Sequence, residues 1–146
     1  MLDISGREAI ALTAVVDVAL HGAAGPVGGA AIAERLGQNP RGLEPLLQAL
    51  SRAGILASIR GRRGGYRLAK ARGEITAGEI VRALADSAPA PEPLPRLVTA
   101  VIAPAWAAAS EAALATLDGV TVEALARKAA AAGLAPRPDV PITYAI

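Results

Sequence analysis

The chain has 146 residues and no cysteine. That absence excludes disulfides, thiolate metal sites, cysteine-held iron–sulfur clusters and thiol redox sensing, and it leaves the compartment open. Histidine occurs once, as His21. A metal site needs several ligands, whereas one histidine at the end of a helix is a favoured polar or positive group in its own right, so no metal ligand is assigned. With no Cys, one His and no nucleophile–base set at a recognisable spacing, the chain does not read as an enzyme. No uninterrupted apolar run stands out either. The alanine-rich Leu97 to Leu117 is broken by Pro104, Ser110 and Glu111, so no membrane span is expected. The N-terminus lacks the charge, apolar core and cleavage layout of a signal peptide, and the expectation is a soluble cytoplasmic protein. No internal repeat is visible. One further absence is local: from Arg52 to Arg72 there is no Asp or Glu, against seven Lys or Arg.

What is present fits one core with an added arm, since 53% of the residues are hydrophobic. The net charge is only +2 but unevenly spread. Residues 1 to 85 carry eleven basic and seven acidic side chains, and residues 86 to 146 carry four and six. A basic head on a slightly acidic tail suits local contact with nucleic acid better than general adhesion.

Ser5 and Glu8 form a capping box that starts a first helix over about Gly6 to His21, with Gly22 as its stop. A Gly- and Pro-rich loop leads to a second helix of about two turns, with Ile32, Ala33 and Leu36 inward and Gly37 closing it. Asn39 caps a third helix with Pro40 in its first position. Leu43, Leu46, Leu47 and Leu50 form its buried stripe, and Arg41, Pro45, Gln48 and Arg52 lie opposite, with Glu44 at the flank. Pro45 removes a backbone donor, so a distorted or late first turn is expected there. Ser58 to Arg60 and Tyr66 to Ala69 alternate in strand fashion around the turn Gly61 to Gly65, where Gly64 and Gly65 supply positive φ for a tight hairpin. Thr76 and Glu79 make a second capping box for a fourth helix over about Ala77 to Ala85. Four prolines between Asp86 and Pro95 mark a linker. A long helix over Arg96 to Leu117 follows, with Pro104 as its kink site and Leu97, Val98, Val101, Ile102, Ala105, Trp106, Ala109, Ala112, Ala113 and Leu117 inward. A short helix from Thr121 to about Ala132 buries Leu125, and the tail from Leu134 is extended.

Three helices followed by a basic two-stranded wing is the element order of a winged helix-turn-helix, in which the third helix enters the DNA major groove. The fold class is therefore mainly α with a small β wing. The divisions are a winged helix domain at 1–85, a Pro-rich linker at 86–95, a dimerisation helix with a short following helix at 96–133, and a tail at 134–146. The same module could instead serve protein contact, with its basic wing meeting an acidic partner.

Particular residues carry a resemblance. Gly25-Pro26-Val27, Ile32-Ala33-Glu34-Arg35, Leu43-Glu44, Leu50 with Ala53-Gly54, Arg60-Gly61 with Gly64-Gly65-Tyr66-Arg67-Leu68-Ala69, and Ile75-Thr76 with Glu79-Ile80 together resemble the Rrf-two family of bacterial transcriptional regulators. The likeness covers residues 2 to 85 and continues more weakly through Trp106, Leu117-Asp118, Thr121, Ala124 and Leu125. It implies a homodimer on a partly palindromic DNA operator, usually repressing transcription. By position, Asn39, Arg41, Glu44 and Pro45 would read base edges, with Gln48 and Arg52 further along the same helix face. Arg41 suits guanine and Glu44 suits the cytosine amine. In the wing, Arg60 would enter the minor groove beside Ser58, while Arg62, Arg63, Arg67, Lys70 and the Tyr66 hydroxyl would meet phosphates. Leu97, Val98, Val101, Ile102, Ala105, Trp106, Ala109 and Ala112 would pair two chains. Family members that hold a cluster place cysteines between the fourth and the long helix. Asp86 to Ala103 has none, so no cofactor is expected, and any signal would come from a small-molecule effector or a partner protein.

Overall fold

A computed structural model describes residues 6–90 and 92–137. Its helices are α1 (Arg7–His21), α2 (Gly29–Leu36), α3 (Pro40–Arg52), α4 (Ala77–Ala85), α5 (Ala103–Asp118) and α6 (Val122–Ala131). Strands β1 (Leu56–Ile59) and β2 (Gly65–Leu68) form an antiparallel hairpin between α3 and α4, with Leu56 opposite Leu68 and Ile59 opposite Gly65. Helices α1 to α3 followed by this hairpin make a winged helix, and α5 and α6 are appended to it.

The core is aliphatic. Leu43, Leu46, Leu47 and Leu50 of α3 are all buried, together with Val15 and Val18 of α1, Ile32 of α2, Leu56 of β1, and Ile80 and Leu84 of α4. Each such burial stabilises by about 2 kcal/mol. Val122 of α6 is fully buried in the same cluster, so the chain beyond α5 returns to the core. Two backbone bonds fix that return: the Ala77 N–H donates to the Val120 carbonyl at 2.8 Å and the Val122 N–H to the Ile75 carbonyl at 2.9 Å. Leu125, expected inside, is only half-buried, because Val122 and Ala126 take the inward face of α6.

Several local expectations change in detail. Ser5 lies outside the described residues, and α1 starts after Gly6 without a side-chain cap. Thr76 does cap α4, accepting from the Glu79 N–H at 3.2 Å, but the Glu79 carboxylate pairs with Lys70 instead of closing a capping box. Pro45 neither delays nor breaks α3, which runs unbroken from Pro40. The carbonyl that Pro45 leaves without a donor is that of Arg41, on the exposed face and open to solvent. The long helix is also interrupted differently. Val98–Ile102 forms a π turn in which the Ala103 N–H reaches back to the Val98 carbonyl, and Pro104, which has no N–H, follows it at the start of α5.

The side chains expected to point inward from the long helix do not pack on the rest of the chain. Leu97, Val101, Ile102 and Trp106 are 69%, 58%, 50% and 64% exposed, and Ala105, Ala109 and Ala112 are exposed too. Only Val98, Ala113 and Leu117 of that set are half-buried. The reason is geometric: α5 meets α4 along one edge, and the first turn of α4 comes so close that a Cβ on Gly78 would stand 1.9 Å from Asp118 Oδ1. Arg82 clamps the same carboxylate with bonds of 2.5 and 3.0 Å. Those bonds hold the Asp118 carboxyl below its ordinary 3.8, so the clamp is intact at neutral pH and is lost only as pH falls through that lowered value.

An unexpected charged group lies between α1 and α2. Asp17 is only 7% exposed and receives Arg35 Nε and Nη2, each at 2.8 Å. His21 Nδ1–H donates to the Asp17 carbonyl at 2.9 Å, at the end of α1. The bidentate bonds to Asp17 are also what raise the Arg35 pKa. Removing the arginine strands a desolvated carboxylate, so Arg35→Ala should destabilise the fold by roughly 2 kcal/mol in urea unfolding, discounted from the cost for a fully buried pair because Arg35 is partly exposed. Arg35→Lys should recover part of that loss, and an unchanged midpoint for the alanine variant would remove Asp17–Arg35 from the stabilising contacts.

Candidate nucleic-acid interface

The start of α3 and the wing form the candidate interface. Asn39 Oδ1 accepts the Arg41 N–H at 2.9 Å, which satisfies a free donor of the first turn and leaves the asparagine amide N–H groups outward. Arg41, Glu44, Pro45, Gln48 and Arg52 then share the exposed face of α3, and Gln48 Nε2 donates to Glu44 Oε1 at 3.3 Å. At 1.5 Å per residue Arg52 stands roughly 16 Å along the axis from Arg41, at the opposite end of the helix. The helix therefore offers its N-terminal half to one surface and Arg52 to its far margin.

In the wing, Arg60, Arg62 and Arg63 occupy the exposed connection between the strands. Its shape depends on glycines, though not as the sequence alone implies. Positive φ falls on Gly61 (114°) and Gly65 (153°), not on Gly64. Gly64 is required by crowding instead: a Cβ there would lie 2.2 Å from the Ile59 carbonyl oxygen. Strand pairing separates the remaining residues. Ser58 faces Tyr66 and Ala57 faces Arg67, so Ser58 and Tyr66 share one face of the hairpin and Arg67 stands on the other.

The wing is fastened to the helices by Val27, a residue that composition and periodicity do not single out. Val27 and Tyr66 exchange two backbone bonds, both 2.8 Å, which makes the α1–α2 loop a short third edge of the sheet. Gly65 permits this, since a Cβ there would be 2.4 Å from the Val27 carbonyl oxygen. The Tyr66 ring lies over the start of α2, near Gly29 and Leu47. Burial first, and then the negative charge of Glu44, push the Tyr66 phenol above its ordinary 10.0, so it stays a neutral donor at physiological pH.

Electrostatically the basic residues in and around the wing differ. Lys70 is paired with Glu79, Arg72 and Arg127 with Glu123, and Arg82 with Asp118. Among the described residues Arg41, Arg52, Arg60, Arg62, Arg63 and Arg67 form no ion pair. Lys70, placed by the sequence with the phosphate contacts, thus has its ammonium tied to α4.

The fold is a winged helix with a basic wing. The chain belongs to the Rrf2 family, whose model, described as an iron-dependent transcriptional regulator, matches residues 4–128. The HTH-type transcriptional regulator IscR of Aliivibrio salmonicida is 42% identical over 86 residues, covering 59% of this chain and 51% of that protein. The chain spans about half the length of the curated relatives it matches. Among solved structures, IscR of T. potens superposes with a TM-score of 0.71 at 31% identity, covering 93% of this chain and 94% of that one. CymR, the global cysteine regulator of B. subtilis, superposes at 0.66 with 31% identity, covering 88% and 98%. These relatives are regulators, not enzymes. The iron in the family description has no fit in the donor set here: the chain has no cysteine, and the described residues contain no group of three His, Asp or Glu able to hold a metal.

The crowding at Gly65 gives a direct test. Gly65→Ala should break the Val27–Tyr66 exchange, and the amide protons of both residues should then exchange with solvent at least about tenfold faster while those of α4 keep their protection. Unchanged protection at Val27 and Tyr66 would show that the wing is held by other contacts.

Proposed function

We propose that this protein is a sequence-specific DNA-binding transcriptional regulator that acts as a homodimer, without an iron–sulfur cluster, and that it represses the promoters it binds. The observation that carries the reading is the concentration of arginines without acidic partners on one part of the fold, Arg41 at the start of α3 and Arg60, Arg62, Arg63 and Arg67 in the wing. Unpaired guanidiniums on a surface helix and a hairpin beside it are what a duplex requires: α3 enters the major groove and the wing follows the adjacent backbone. Arg41 reads guanine, Glu44 accepts from a cytosine amine and Pro45 offers only apolar contact. Arg60 probes the minor groove, and Arg62, Arg63 and Arg67 hold phosphates.

Dimerisation is supported by the long helix. Leu97, Val101 and Ile102 would otherwise leave large apolar side chains in water, and exposed apolar surface of this kind marks an interaction face. By length and composition the span Val98–Asp118 could also cross a membrane, with a mean hydropathy of 1.4. Its packing against α4 and the Arg82–Asp118 clamp favour a seam between two chains of a cytoplasmic regulator. Pairing two copies through this helix puts their α3 helices about one DNA turn, roughly 34 Å, apart.

Two measurements test this. In binding titrations on duplexes recovered from the protein's own upstream region, Arg41→Ala should relax base preference by about 1–3 kcal/mol at one position. Arg63→Ala should weaken all sequences alike and lower the salt slope by about one unit. Identical behaviour of the two variants would refute the division between reading and holding. In sedimentation at micromolar concentration the protein should be a dimer, and Val101→Glu should weaken self-association at least about tenfold by burying a charge in the seam. A monomeric protein that binds no upstream fragment would overturn the proposal.

A further inference from the structure

A cleft of about 400 Å³ opens where the first turn of α1, the second half of α4 and the middle of α5 meet. Its walls are largely apolar, with Val81 of α4 and Trp106, Leu114 and Leu117 of α5 among the lining residues. The size falls within the roughly 300–1,000 Å³ of small-molecule sites. Two polar groups face it. Ser110 donates its hydroxyl proton to the Trp106 carbonyl at 3.0 Å, which leaves its oxygen free to accept. Glu8, the sole charged residue of the lining, forms no ion pair or side-chain hydrogen bond among the described residues.

This combination has a definite chemical preference. The Glu8 carboxylate, which has no counter-ion among the described residues, the Ser110 oxygen and the face of the indole all suit a cation, and the carboxylate opposes an anion. An indole attracts a cationic nitrogen through its negative face, and the Glu8 carboxylate supplies the opposite charge. We propose that this cleft is an effector site for a small amphipathic amine, its ammonium between Glu8 and Trp106 and its apolar body against Val81, Leu114 and Leu117. Rival occupants fit less well: an anion would meet Glu8, and a wholly apolar side chain would bury that carboxylate without a partner.

The site's position gives it a lever. Helices α4 and α5 are pinned where Gly78 abuts Asp118 and Arg82 grips the same carboxylate, and the cleft runs from Val81 and Leu117 beside that pin to Trp106, three turns further along α5. A ligand there touches α1 and α4 of the winged domain and also α5. It would bias the angle between them, and hence the separation of two α3 helices. That consequence rests on the dimeric DNA-binding reading above, whereas the binding itself does not.

Trp106 is the chain's single tryptophan, so the emission of the intact protein reports on the cleft without a label. Titration with phenethylammonium should change that emission saturably, and 2-phenylethanol and 3-phenylpropionate should bind at least about tenfold more weakly. Glu8→Gln should abolish the preference for the amine over the alcohol while leaving the far-ultraviolet circular dichroism and the unliganded protein's DNA binding unchanged. No saturable response, equal affinity for amine and alcohol, or a preference that survives Glu8→Gln would overturn the proposal. So would a Trp106 emission that ignores all three probes but shifts on dilution of the protein, because a second copy would then fill the cleft. DNA binding measured without any probe fails or succeeds separately, which distinguishes failure of this site from failure of the regulator reading.

Discussion

The paired backbone bonds between Val27 and Tyr66 are the constraint on which the interface depends. A hairpin of two four-residue strands has little stability alone in water. Here the loop between α1 and α2 supplies a third edge, so the hairpin's position is set by the same segment that starts α2. The tyrosine side chain adds to this, because its ring rests near Gly29 and Leu47 and its phenol senses Glu44 on α3. The orientation of the arginine-rich turn relative to α3 is therefore inherited from backbone geometry, and the arginines themselves are left without structural duties.

A second set of contacts governs the C-terminal part. Helix α5 lies against α4 at the Gly78–Asp118 approach, and α6 turns back so that Val122 completes the core. The bonds joining Ile75, Ala77, Val120 and Val122 tie the entry of α4 to the entry of α6. The long helix is thus braced at its C-terminal end while most of its apolar side chains stay in solvent. Such an arrangement keeps the helix oriented and still leaves a surface for another chain.

Much of this was legible in the sequence because it depends on local rules. The leucine stripe of α3, the caps at Asn39 and Thr76, the stop at Gly37 and the helix bounds of α4 all follow from spacing and capping chemistry. What stayed hidden depends on contacts between residues far apart in the chain. Val27 has an ordinary apolar identity, and nothing in its neighbours announces a partner at Tyr66. Asp17 reads as a polar interruption of α1 until Arg35 is seen beside it. Gly78 sits in a helix where alanine has the higher propensity, and only the approach of Asp118 explains it. For the long helix, periodicity identified an apolar face, but periodicity does not say whether that face meets the same chain or another.

The π turn at Val98–Ile102 has one more consequence, for the phase of that apolar face. A turn closed by an i to i+5 bond takes in one residue more than an α turn, and each residue advances a helix by about 100°. Leu97 and Val101 are therefore rotated relative to Trp106, Ala109 and Ala113 compared with an unbroken helix. Any surface that covers both parts has to follow that offset rather than a straight seam, and a heptad count carried across the turn would assign the upstream and downstream residues to the wrong faces.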